Sequence, residues 1–347
     1  MSEFEPSHTP EQPPAEAGIG LDALKFEQTK GEINLNIANR YYNPPEYEEY
    51  YSGVCDVNTP EVARAMADKL REDRKDPNRK IMIGVMATRY SLNHDDGDDC
   101  PDRKDIANAF TDDPDVLNTI HFADFYNFQD GRRPWKGGES PDVLENLELC
   151  VQYGGEHLQA IQLDLTWPKP EIIKEFKEKH PNISIILQVG KFALEEVEYD
   201  PQDVADKLLE YGDSIDYAML DFSLGKGRAM TETDLTRLER IFNLIQYKLP
   251  ELGLTIAGGF GRKVGPEDPP GTLDPIDALA RIAKQFPNIS IDAQGGLKAP
   301  DAPRSHGHVD ATTPADLAKS IEYIGETSSK LDSEPVDSPH KPSYIAL

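Results

Sequence analysis

Seven times along this 347-residue chain a short apolar run gives way to a longer amphipathic stretch, and that alternation limits the possible folds more than any other feature. The apolar runs are KIMIGVMA (80–87), NTIHFADF (118–125), LQAIQLDL (158–165), ISIILQVG (183–190), IDYAMLDF (215–222), LTIAGGF (254–260) and ISIDAQGG (289–296). Their length and β-branched content read as buried strands. The stretches beginning at Asn58, Ser140, Lys169, Asp200, Thr231, Asp274 and Thr313 read as helices, several opening on Ser, Thr or Asp followed by Pro and several closing at Gly or Pro. Continuous apolar strands alternating with amphipathic helices imply a parallel sheet covered on its outer face by helices, hence an α/β fold. An eighth strand must precede the first helix, supplied either by SGVCDV (52–57) or by INLNIAN (33–39). Eight βα units fit a closed (β/α)8 TIM barrel better than an open doubly wound sheet, and no GxGxxG follows the first strand.

A hydrophobic content of 38% supports a substantial core. The formal charge of −27 repels nucleic acid phosphates and anionic membrane surfaces, so a bound anion must be held by local groups against the global field. No run approaches the length of a membrane span, and the first residues have neither a basic n-region nor an apolar h-region. The expectation is a cytoplasmic protein with no nucleic acid or membrane partner. Cys55, Cys100 and Cys150 match neither a disulfide framework nor a zinc pattern and are expected to be reduced thiols. Residues 1–20 and 328–347, rich in Pro, Ser and acidic residues, are expected to be disordered acidic tails around a barrel with an N-terminal extension over 21–327.

In a barrel of this kind the chemistry stands at the C-terminal ends of the strands. The sixth strand ends on Asp221 and opens into SLGKGR (223–228); AGGFGRK (257–263) follows the seventh and AQGGLK (293–298) the eighth. Glycines let backbone N–H groups approach an anion closely, so Gly225, Gly227, Gly258, Gly259, Gly295 and Gly296 are candidate phosphate-binding positions, or alternatively plain turn glycines. A carboxylate at the end of an apolar strand is costly to bury unless paired or protonated. A raised pKa suits Asp221 to act as a general acid; a structural ion pair with Lys226 or Arg228 is the other reading.

The motifs VCDVNTPEVARAM (54–66), IQLDL (161–165), MLDFSLGKG (219–227), IAGGF (256–260) and SIDAQGGLKAPD (290–301) stand in one order along the chain. In that order they resemble the phosphoribosylanthranilate isomerases, over roughly residues 52–326. The resemblance implies a phosphate-binding barrel and a cofactor-free Amadori rearrangement of a phosphorylated aminoaldose, with a general acid at the ring oxygen and a general base at C2. Carried over by motif, the acid is Asp221, the base is Cys55, and Arg89 faces an acid group of the substrate. The chain departs from the pattern at Asp56, where the motif has glycine, at Asp164, where it has histidine, and in an insertion at 91–105. Asp56 and Asp164 both add negative charge near a site meant for an anion.

Further features have weaker chemistry. HDDGDD (94–99) lacks the spacing of an EF-hand and reads mainly as a solvated loop. His121 and Asp124 with Asp164 compose a possible metal set, as in metal-dependent sugar-phosphate epimerases, although no metal is assigned. Trp135 and Trp167 fall in loops on the catalytic face and either stack on a ring or pack as lid contacts; Lys191 either offers a cation or is solvated. The leading expectation is an isomerase of a small phosphorylated sugar; the others are a phosphate-binding barrel with a regulatory role and the metal-dependent epimerase.

Overall fold

The computed structural model describes residues 50–94, 100–128, 131–134, 140, 142–222, 229–260, 264–265, 268–286, 288–298, 304–305, 308–309 and 314–331. INLNIAN, the 1–20 tail, residues 332–347, Trp135, residues 95–99 and the loop carrying Gly225, Lys226, Gly227 and Arg228 lie outside the described residues.

Eight parallel strands close into a barrel. They are β1 (Tyr50–Cys55), β2 (Arg79–Thr88), β3 (Val116–Ala123), β4 (Ala160–Asp164), β5 (Ser184–Val189), β6 (Tyr217–Asp221), β7 (Gly253–Ala257) and β8 (Ser290–Ala293). Closure comes from β1, which pairs with β2 through Cys55 opposite Gly84 and with β8 through Gly53 opposite Asp292. The strand at the SGVCDV position is therefore a barrel strand, and Cys55 is its last residue. The strands stop short of several apolar runs because backbone breaks intervene: Asp56, Gly258 and Gly259 have φ of 64°, 109° and 72°.

Among the described residues, seven longer helices flank the strands, α1 (Pro60–Asp73), α2 (Val143–Gly154), α3 (Pro170–Lys179), α4 (Pro201–Leu209), α5 (Glu232–Lys248), α6 (Pro275–Gln285) and α7 (Leu317–Leu331), and a short one, Lys191–Glu196, follows β5. Their starts are set locally. Thr59, Asp200 and Asp274 accept backbone N–H groups of the first turn, Thr231 and Asp234 form a reciprocal capping box, and Pro occupies the first turn of α1, α3, α4 and α6. Helix α7 runs to Leu331, four residues past the 327 boundary expected from composition. Between β2 and β3 the described residues hold a short helix, Arg89–Asn93, and a 3-10 segment, Arg103–Ala109, where a full flanking helix stands elsewhere. A hairpin of Phe125–Phe128 and Gly131–Pro134 follows β3.

The main core lies between strands and helices. A second, smaller cluster fills the barrel itself: Tyr51, Met82, Leu117, Ala160, Ile186, Met219 and Ala257. The Tyr51 hydroxyl bonds Thr255 Oγ1 at 2.9 Å, so the one polar atom of that ring is paired inside the barrel. Polar side chains replace apolar ones toward the C-terminal ends of the strands, and the candidate site lies there.

Candidate active site

Strand alternation sends Cys55, His121, Gln162, Gln188, Asp221 and Asp292 inward from six of the eight strands. His121 and Gln162 are register partners on β3 and β4. Two glycines make the side chains meet. A Cβ on Gly84 would lie 2.7 Å from the Cys55 sulfur, and one on Gly53 would lie 2.5 Å from Asp292 Oδ1. Without those side chains, Cys55 reaches past β2 and Asp292 lies against β1.

The contacts around the thiol form a chain. Cys55 Sγ stands 3.6 and 3.7 Å from the two Asp292 oxygens and donates to them, and His121 Nδ1 lies 3.5 Å from the same sulfur. With the thiol proton directed at Asp292, the imidazole is left as the donor to sulfur through Nδ1–H. His121 Nε2 is buried with no hydrogen-bond partner among the described residues, and burial lowers the imidazole pKa to about 4, so the ring is neutral. Gln162 Nε2 donates to Gln188 Oε1 at 2.8 Å, and the Gln162 side chain also hydrogen-bonds Asp292.

Three carboxyl groups share this end of the barrel. Burial first, and after it the charge of Asp221, raise Asp292 to about 7 against the hydrogen bonds of Cys55 and Gln162. Asp164, only partly buried at the end of β4, is also pushed up to about 7, by burial and then by Asp221. Asp221 is thus within electrostatic reach of both acids, one on each side of it in the strand order.

Cys55 has surroundings opposite to those that make a thiolate. Burial first, then the charges of Asp292 and Asp56, push its pKa well above the ordinary thiol value. The base role carried over by motif requires the ionised form, which this environment disfavours.

Asp56 does not load the site with charge, as its sequence position suggests. Its carboxylate is buried and paired with Lys298 at 2.8 Å, with the two side chains 0% and 2% exposed, and Gln294 donates to it at 3.1 Å. Its positive φ explains why glycine serves at this position and why Asp, which tolerates the left-handed region, can replace it. Arg89 opens the short helix after β2, half-exposed, with Nε 3.4 Å from Asp124 Oδ1; Ser140 donates to the other Asp124 oxygen. Gly258 and Gly259 follow β7 in the left-handed region, while Gly295 and Gly296 begin a 3-10 turn directly after β8.

The remaining sequence candidates have structural partners. Trp167 is buried and donates Nε1–H to the Ala193 carbonyl at 2.9 Å, which ties the β4 loop to the segment after β5. Lys191 pairs with Glu195 at 3.6 Å. Among the described residues no three His, Cys, Asp or Glu side chains gather as metal ligands; His121 instead meets Cys55, and Asp124 meets Arg89. No described helix is long and apolar enough to cross a membrane.

Sequence reasoning named Cys55 and Asp221 but gave no role to Asp292, Gln162 or Gln188. The available signal was period-two placement: each stands on the inward face of an otherwise apolar strand.

No protein-family model matches the chain, and no curated protein matches it. Solved structures similar to it include the catalytic domain of a hyperthermophilic chitinase from Pyrococcus furiosus, at 11% identity and a TM-score of 0.48, covering 83% of this chain and 97% of that one. The tryptophan synthase alpha chain from Legionella pneumophila subsp. pneumophila is similar at 11% identity and a TM-score of 0.44, covering 86% of this chain and 97% of its own. Likenesses this distant say nothing about activity. The barrel assignment stands on the closed eight-strand sheet itself.

Proposed function

We propose that the protein is an acid–base isomerase of a phosphorylated sugar, resembling the phosphoribosylanthranilate isomerases in reaction type. The observation that carries this reading is the gathering of acids at the C-terminal ends of the strands: Asp221 acts electrostatically on both Asp164 and Asp292, and Asp292 is hydrogen-bonded by Cys55. Moving a proton between adjacent carbons needs an acid and a base on one substrate, with at least one group titrating near the working pH. In this reading Asp221 protonates the ring oxygen, the Cys55–Asp292 side takes the C2 proton, and Arg89 contacts an acid group on the substrate. The backbone at Gly258, Gly259, Gly295 and Gly296 receives the phosphate, together with Gly225 and Gly227 of the sixth loop. Lys298 is committed to Asp56, which makes main-chain N–H groups the principal phosphate donors from the eighth loop.

The test is fluorescence-monitored turnover of phosphoribosylanthranilate by the purified protein beside Asp221→Asn. Turnover that falls about 10²–10⁴-fold in the variant supports the reading, that being the usual contribution of a general acid. A second reading, a barrel that binds phosphate without catalysis, is favoured by one observation: the Cys55 thiol is buried against the Asp292 carboxylate, surroundings that disfavour a thiolate. An inert protein whose melting temperature still rises with inorganic phosphate selects this second reading.

A further inference from the structure

The isomerase reading leaves open which atom on the Cys55 side receives the proton. Two side chains of that cluster, Cys55 and Gln162, hydrogen-bond one carboxylate, Asp292. His121 Nδ1 lies 3.5 Å from the sulfur, the thiol donates to the Asp292 oxygens at 3.6 and 3.7 Å, and the Gln162 side chain hydrogen-bonds the same carboxylate. The thiol donor ends on Asp292, whose two oxygens both lie within reach of the Cys55 sulfur. Asp292 is also the member of the pair in electrostatic reach of Asp221, and it is 5% exposed against 1% for Cys55. The missing side chain at Gly53 gives the carboxylate its place against β1.

We propose that in this chain the carboxylate of Asp292 is the catalytic base opposite Asp221, and that Cys55 is a positioning residue whose thiol hydrogen-bonds that carboxylate. The proposal rests on the isomerase reading. In the ring-opened aminoaldose the C2–H bond breaks, its proton forms an O–H bond on Asp292, and its electron pair forms the C1=C2 bond while the C1=N pair returns to nitrogen. The enol then loses its hydroxyl proton as C1 takes one up, so the net change is an isomerisation with no redox partner. A carboxyl titrating near 7 is matched to this task at neutral pH, whereas a thiol held above its ordinary value is not.

The experiment compares kcat/KM for phosphoribosylanthranilate across pH in the wild type, Asp292→Asn, Asp292→Glu and Cys55→Ser, with the melting-temperature shift by inorganic phosphate as a check of folding. Asp292→Asn is expected to lose about 10²–10⁴-fold, Asp292→Glu to regain part of that loss, and Cys55→Ser, which keeps a hydroxyl donor, to lose no more than about tenfold. The acidic limb of the wild-type pH profile is expected to persist in Cys55→Ser and to vanish in Asp292→Asn. If Asp292→Asn fails the folding check, the Cys55→Ser result and its pH profile decide alone. An active wild type in which Cys55→Ser falls as far as Asp292→Asn overturns this assignment and leaves the isomerase reading standing. A wild type with no turnover overturns both.

Discussion

At the scale of single residues, the pair of Asp56 and Lys298 shows how a departure from a motif is absorbed. A carboxylate in a glycine position would place charge beside an anion site, but Lys298 from the segment after β8 meets it at 2.8 Å with both side chains out of solvent. Breaking a buried pair by removing one partner leaves the other charge uncompensated. Lys298→Met is therefore expected to lower unfolding free energy by about 3–5 kcal/mol in a urea titration. Asp56→Gly also destabilises, despite relieving the left-handed backbone, because it strands the ammonium. The double variant Asp56→Gly with Lys298→Met recovers most of the loss; additive losses instead would mean that the two charges do not act as a pair.

At the scale of elements, helix starts and strand interiors obey different rules. The flanking helices were legible from their apolar stripes, and most sharply at α1, α4 and α6, where a capping side chain and a first-turn proline stand together at the start. Strand ends were legible only to within a few residues, since a short apolar run carries no mark of where backbone pairing stops. Gly84 within KIMIGVMA signals a close approach in the sequence, but its partner, Cys55, comes from a neighbouring strand. Gly84→Ala sets a methyl 2.7 Å from the Cys55 sulfur, whose backbone lies only 3.4 Å away, so β1 and β2 must shift. A loss of about 1–3 kcal/mol in the same urea titration is expected, as for other overpacked cores. A neutral result would show that the thiol moves aside freely and is not fixed by Asp292.

At the scale of the whole molecule, barrel closure gathers Asp164, Asp221 and Asp292 from three strands and gives the fold a pH dependence. Asp164 and Asp292 have folded pKa values raised from 3.8 to about 7. Raised carboxyl pKa values mean that the native state binds protons more tightly than the unfolded chain. Their stabilising contribution is complete below about pH 3.8 and is lost as pH rises through about 7. Asp164→Asn is accordingly expected to be more stable than wild type at pH 8 by roughly 1–3 kcal/mol, a modest figure because solvent reaches this carboxyl. The difference should shrink as pH falls below about 7 and close only below about pH 3.8. Equal stability of the two proteins at pH 8, measured by urea unfolding, would show that Asp164 carries no buried charge.

The sequence by itself determined the alternation of strands and helices, the barrel class, the helix caps and the two residues Cys55 and Asp221 as inward strand-end groups. These are local properties, encoded in periodicity and in residues a few positions apart. Tertiary structure alone decided that the first described strand holds Cys55 in the barrel wall, that Asp56 faces Lys298 rather than a ligand, and that Asp292 accepts the hydrogen bond of the Cys55 thiol. Those outcomes depend on contacts across more than two hundred residues of chain, such as the 237 positions between Cys55 and Asp292. They also depend on ionisation set by burial, which arises only when the eight strands close and exclude water from between them.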